Sequence, residues 1–140
     1  MNFDGVKALT FDTGGTILDW HTGFRTELEK LGSKYGVEGD WGSLANEIRR
    51  RSLGSMLNLG EHEPPTWNFD TSHRRSVDSV LNENSLEAAT EEERRAIWWE
   101  QTHNFQCWPD FPDVLPRLRS RFICASFTIL SFRIIIDTAK

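Results

Sequence analysis

Leu9-Thr10-Phe11-Asp12-Thr13-Gly14-Gly15-Thr16-Ile17-Leu18-Asp19 is the stretch that decides how the rest of the chain is read. Val6, Ala8, Leu9 and Phe11, with Thr10 among them, make a short run suited to a strand. Two consecutive glycines directly after it predict a tight turn at the strand's carboxyl end. Asp19 or Thr22 can cap a helix beyond that turn. Phe24, Leu28, Leu31 and Tyr35 fall on one stripe of an amphipathic helix, and Gly36 is placed to end it. Strand, glycine turn and helix form the opening half of a βαβ unit. Asp12 stands at the strand's edge among backbone N–H donors. Such a carboxylate serves either as a nucleophile that forms an ester for water to hydrolyse, or as an Asx cap of its own turn.

Downstream the chain reads as helical. Leu44, Ile48 and Met56 predict a helix over 41–58, with Arg49, Arg50 and Arg51 projecting around it. Residues 60–66, with Pro64 and Pro65, read as a loop, and Val77, Val80 and Leu81 as the buried face of a helix over 71–81. Thr90 and Glu93 have capping-box spacing and open a further helix that carries Ile97, Trp98 and Trp99 and fades near Phe105. Pro109, Pro112 and Pro116 change the texture. A short helix over 113–119 then leads into 122–127, a candidate second buried strand. Beyond Thr128, Leu130, Phe132, Ile134 and Ile136 alternate as in a strand, yet the remaining length also suits a helix.

Two strands in one parallel sheet would be joined here by an excursion far longer than an ordinary crossover. The economical arrangement is an α/β core into which a helical cap is inserted. On that reading 1–19 hold the first strand and nucleophile loop, 20–105 the cap, and 106–140 a second, incomplete part of the core. A cleft between cap and strand ends is where open α/β sheets usually bind ligands.

The segment from Leu9 to Asp19 resembles the first motif of the haloacid dehalogenase superfamily: an apolar strand, the nucleophilic Asp, two variable residues, then Gly-Thr and an apolar residue. The resemblance implies a partial Rossmann-like core, a helical cap in the position found here, and Asp12 as the catalytic nucleophile. Superfamily phosphatases usually carry a second Asp two residues later as general acid/base. Gly14 stands there instead, which suits a halide leaving group that needs no proton. Gly14 is not the bulky residue common in 2-haloacid dehalogenases, and a small residue also occurs in phosphonoacetaldehyde hydrolases.

Ile48-Arg49-Arg50-Arg51-Ser52-Leu53 resembles the cap segment whose arginine reaches the substrate in 2-haloacid dehalogenases, with Arg49 the matching position. A guanidinium fork suits a carboxylate; Arg50 and Arg51 read as a solvated face paired to acids. Thr128, with Ser126 as alternative, matches the second motif, and Thr13 and Gly14 join the substrate-binding set. The superfamily's later lysine and acidic residues have no counterpart, since Lys140 comes too early. The expectation is a C-terminally truncated type II 2-haloacid dehalogenase-like hydrolase. It would cleave the carbon–halogen bond of a short 2-haloacid through an aspartyl ester. A superfamily phosphatase or phosphonatase is the enzymatic alternative, and a catalytically silent helical interaction module the non-enzymatic one.

Composition narrows the partners. With 140 residues, 38% hydrophobic and 10 Gly, the chain reads as one ordinary globular unit. A net charge of -5 argues against nucleic acid, which needs a basic face. No stretch reaches the ~20 apolar residues of a membrane span, and no basic, apolar leader opens the chain. Cys107 and Cys124 are too few for a disulfide framework and read as small buried hydrophobes. His21, His62, His73 and His103 have no zinc spacing, and Glu61-His62-Glu63 reads as polar loop. Trp41, Trp67, Trp98, Trp99 and Trp108 read as cap packing. The expectation is a cytoplasmic protein without metal or organic cofactor that takes a small anionic substrate, with an exposed strand edge that permits a homodimer.

Overall fold

Backbone pairing joins distant parts of the chain. In the computed structural model, which describes residues 4–58 and 68–139, β1 (Ala8–Phe11) and β2 (Ile123–Ser126) pair in parallel. Ala8 stands opposite Ile123 and Phe11 opposite Ser126. Between them lie α1 (Trp20–Tyr35), α2 (Trp41–Leu57), α3 (Phe69–Glu83) and α4 (Glu91–Arg95). α4 continues as a π-helical turn, Ala96–Gln101, and a 3-10 turn, Thr102–Asn104. α5 (Phe111–Arg119) precedes β2, and α6 (Phe132–Thr138) succeeds it. The predicted loop over 60–66, with His62 and Trp67, lies outside the described residues.

Side-chain caps set the starts of every α-helix but α5. Asp19, rather than Thr22, caps α1 by accepting from the Thr22 N–H at 3.0 Å. Asp40 does the same for α2 and Asn68 for α3, so α3 begins two residues before the predicted 71. Thr90 and Glu93 form the expected reciprocal box. The tail is a helix: Ser131 Oγ accepts from the Ile134 N–H at 3.3 Å, and Ile134 is fully buried.

The apolar core lies in the helical section. Phe24, Leu28 and Leu31 of α1, Ile48 of α2, and Phe69, Val77, Val80 and Leu81 of α3 pack together. Leu18, Leu130 and Ile134 join them from the α/β part. Trp20, Trp41 and Trp98 pack against this core, Trp41 directly over Gly32, where no Cβ would fit. Trp108 instead reaches back to the glycine turn, its Nε1 donating to the Gly15 carbonyl at 3.0 Å.

β2 corrects the expectation of a buried strand. Ile123 is 69% exposed and the adjoining Phe127 77%. A two-stranded sheet covers few of its own side chains, and among the described residues the helical core packs elsewhere. Cys124 and Cys107 are accordingly half-buried rather than buried.

His73 sits inside the core, fully buried against the rings of Phe69 and Phe24, with neither ring nitrogen hydrogen-bonded among the described residues. Burial, then the nearby charges of Arg49 and His103, push its pKa down from 6.5 to about 3. Below the unfolded value the unfolded chain binds a proton that the native state refuses, so stability falls as pH drops from 6.5 toward 3. Urea denaturation should lose about 1.4 kcal/mol per pH unit below the unfolded value. His73→Phe should flatten the slope between pH 6 and 5, above the ordinary carboxylate range. An equally steep fall in that variant would contradict the assignment.

Candidate active site

β1 ends at Phe11, and the chain then folds into a compact turn. The Thr13 carbonyl accepts from the N–H groups of Ile17 and Leu18, both at 3.0 Å, and the Gly15 N–H donates to the Leu18 carbonyl at 2.9 Å. Gly15 has φ 104°, a conformation that favours glycine. Thr13 is buried inside the turn. Asp12, at its mouth, is exposed, and its Oδ2 accepts from Thr16 Oγ at 2.6 Å. Oδ1 accepts no hydrogen bond among the described residues.

Pairing continues one residue past β2, because the Phe127 N–H donates to the Phe11 carbonyl at 2.7 Å. Thr128, the next residue, therefore lies at the same end of the sheet as Asp12. Its Oγ accepts from the Leu130 N–H at 3.3 Å. Ser126 lies one step back, in register with Phe11.

Arg49 enters from the cap. Its Nη2 donates to the Gly14 carbonyl at 3.3 Å, and a Cβ on Gly14 would stand only 3.0 Å from that nitrogen. The guanidinium lies over the rings of Trp20, at 5.6 Å, and Phe69, at 5.4 Å. Burial lowers its pKa, and the negative charge of Asp12 opposes that shift; an arginine so placed stays charged. Arg50 and Arg51 turn away. Arg50 pairs with Glu47, and Arg51 with Glu47 and Glu83, holding both carboxylates down to about 2.

The strand ends thus bring Asp12, Thr13, Gly14 and Thr128 to one edge, and α2 delivers Arg49 to the turn after Asp12. Three further contributors are not evident as site residues from the sequence. Thr16 lies within the motif, and its four-residue offset from Asp12 is the available signal. Trp20 and Phe69 open two helices as aromatic residues, and nothing local ties them to Arg49. Among the described residues, no group of three or more His, Cys, Asp or Glu gathers as a metal site, and no helix is long and apolar enough to cross a membrane.

No protein-family model matches the sequence, and no curated protein is significantly similar to it. Solved structures do match. The parallel strand pair with a helical section inserted between its strands matches the fold of haloacid dehalogenase structures. Within it, the similarity is to L-2-haloacid dehalogenases. The defluorinating L-2-haloacid dehalogenase Rha0230 matches with a TM-score of 0.83 and 26% identity over 96% of this chain and 55% of its own. L-2-haloacid dehalogenase PA0810 matches at 0.79 and 22% identity, over 96% of this chain and 57% of its own. The enzyme from Xanthobacter autotrophicus, with chloropropionic acid covalently bound, matches at 0.71 and 18%, over 94% and 50%. The chain spans about half the length of these structures.

Proposed function

We propose that the chain supplies the nucleophile and cap arginine of a hydrolase that cleaves the carbon–halogen bond of a short 2-haloacid. The carboxylate of Asp12 attacks the halogen-bearing carbon, an ester C–O bond forms, and the halide leaves with the bonding electrons. Water then adds to the ester carbonyl. Asp12 is regenerated, and a 2-hydroxy acid and a proton are released. Thr16 holds one carboxylate oxygen and leaves the other toward the substrate. Arg49 attracts the anionic substrate and steadies the departing halide, and Thr128 holds the substrate carboxylate.

The observation that carries this reading is the reach of Arg49 from the cap to the Gly14 carbonyl, within the field of Asp12. A cation there is useful to an anionic substrate and a halide leaving group. Gly14 offers no acid to a leaving alkoxide, which disfavours the phosphatase alternative. The reading needs no organic cofactor, suits a cytoplasmic protein, and leaves the exposed edge of β2 able to pair with a second copy.

Halide release from 2-chloropropionate, measured beside magnesium-dependent phosphate release from p-nitrophenyl phosphate, tests it. Halide without phosphate is expected. Phosphate without halide selects the phosphatase, and neither product from the folded chain selects a silent interaction module. Arg49→Met should lower kcat/KM for 2-chloropropionate by about 10- to 100-fold, the worth of a hydrogen bond to a charged group. Unchanged kinetics in that variant would remove Arg49 from the site.

A further inference from the structure

α6 comes directly after the Thr128 turn, and a cluster of polar side chains outside the site just described fastens it to the end of the cap. His103 Nδ1 meets Asp137 Oδ2 at 2.8 Å, with the imidazole only 6% exposed. A carboxylate only accepts, so this nitrogen carries the proton and donates. On the other side of the ring, Nε2 stands 3.9 Å from Asp70 Oδ1, and the same oxygen accepts from Ser131 Oγ at 3.2 Å. The Trp99 ring lies 4.2 Å from the imidazole, and Arg133 covers that indole at 4.7 Å. His103 thus stands between a carboxylate at the start of α3 and one on α6, and Ser131 links α6 to the first of these.

The turn that this cluster holds is the one that carries Thr128. The Thr128 hydroxyl is oriented by the Leu130 N–H, Leu130 is buried in the core, and Ser131 is the cap of α6. β2 itself is largely exposed and belongs to a two-stranded sheet, a structure with little stability of its own. The turn is therefore held more by the docking of α6 than by the strand leading into it.

We propose that His103, through its hydrogen bond to Asp137 and with Ser131 tied to Asp70 beside it, is a positioning group that locks α6 to the cap and so holds the Thr128 hydroxyl at the end of the sheet that also carries Asp12. The role of Thr128 rests on the function proposed above; the lock does not. It acts through the backbone of 128–134 and touches no substrate.

Amide hydrogen exchange on the folded chain tests the lock without turnover. His103→Leu should speed exchange at 128–134 by about tenfold or more, equivalent to about 1.4 kcal/mol of local opening, while the amides of α1 and α2 keep their protection. His103→Asn, which keeps a donor near the Nδ1 position, should restore most of the protection, and Asp137→Asn should fall between the two. Unchanged exchange at 128–134 in His103→Leu overturns the proposal, as does an equal loss across α1 and α2 or a failure of His103→Asn to rescue. In kinetics, His103→Leu should raise KM for 2-chloropropionate several-fold more than it lowers kcat. A wild-type chain that turns over no 2-haloacid sinks the proposed function, and exchange still decides the lock.

Discussion

Asp12→Asn is expected to abolish halide release from 2-chloropropionate while leaving the fold intact. The amide fills the same space at an exposed position, and its oxygen can still accept from Thr16, whose hydroxyl stands 2.6 Å from the native carboxylate. Fold stability should hardly change. What disappears is the ionised oxygen, because a neutral amide is too poor a nucleophile to displace halide from carbon. Loss of a group that forms the covalent intermediate costs on the order of 10⁴-fold or more in rate. Intact-protein mass spectrometry after exposure to 2-chloropropionate should reveal the ester in the native chain and none in the variant. Turnover by Asp12→Asn at more than roughly a hundredth of the native rate, or an ester on another residue, refutes the nucleophile assignment.

Phe24→Ala should produce the largest loss of stability. Phe24 is fully buried at the middle of the helical core, its ring edge-on to Phe105 at 5.4 Å and to His73 at 5.6 Å, with Trp20 beyond. Removing it deletes the ring's transfer energy and leaves a cavity between α1 and α3, at a cost of about 3–5 kcal/mol. Against a total of roughly 5–15 kcal/mol for a domain, the urea midpoint should collapse. Phe24→Leu, which refills much of the volume, should cost about 1.5 kcal/mol or less. A loss below about 1 kcal/mol in Phe24→Ala would show that the core is centred elsewhere. The damage should also reach the site, because α1 begins with Trp20, one of the two rings beneath Arg49.

Local chemistry makes much of this molecule legible in its sequence. Spacing and caps outline α1 through α4, since one-sided burial and short-range hydrogen bonds leave their marks within a few residues. The strand, the glycine turn and Asp12 are readable for the same reason. Burial of β2 is not. An apolar run records what a strand is able to bury, whereas Ile123 and Phe127 are covered only if something packs on them. The tail is ambiguous until Ser131 proves to be a cap, because seven residues carry too little periodicity to separate strand from helix. In the site, Arg49 is reached only through resemblance. Its partner, the Gly14 carbonyl, is 35 residues away, and no local rule pairs them. Thr16 lies within the motif, but only its four-residue offset from Asp12 hints at the hydrogen bond it makes to that carboxylate.

The parallel register of β1 with β2 has a consequence for synthesis. Ala8 waits for Ile123, so more than a hundred intervening residues leave the ribosome before the segment bearing Asp12 finds its neighbour. Helices, whose contacts are local, organise quickly, while a ladder between remote segments must first overcome the entropy of closing so large a loop. The helices between the two strands therefore assemble before the strand edge that carries Asp12 is paired.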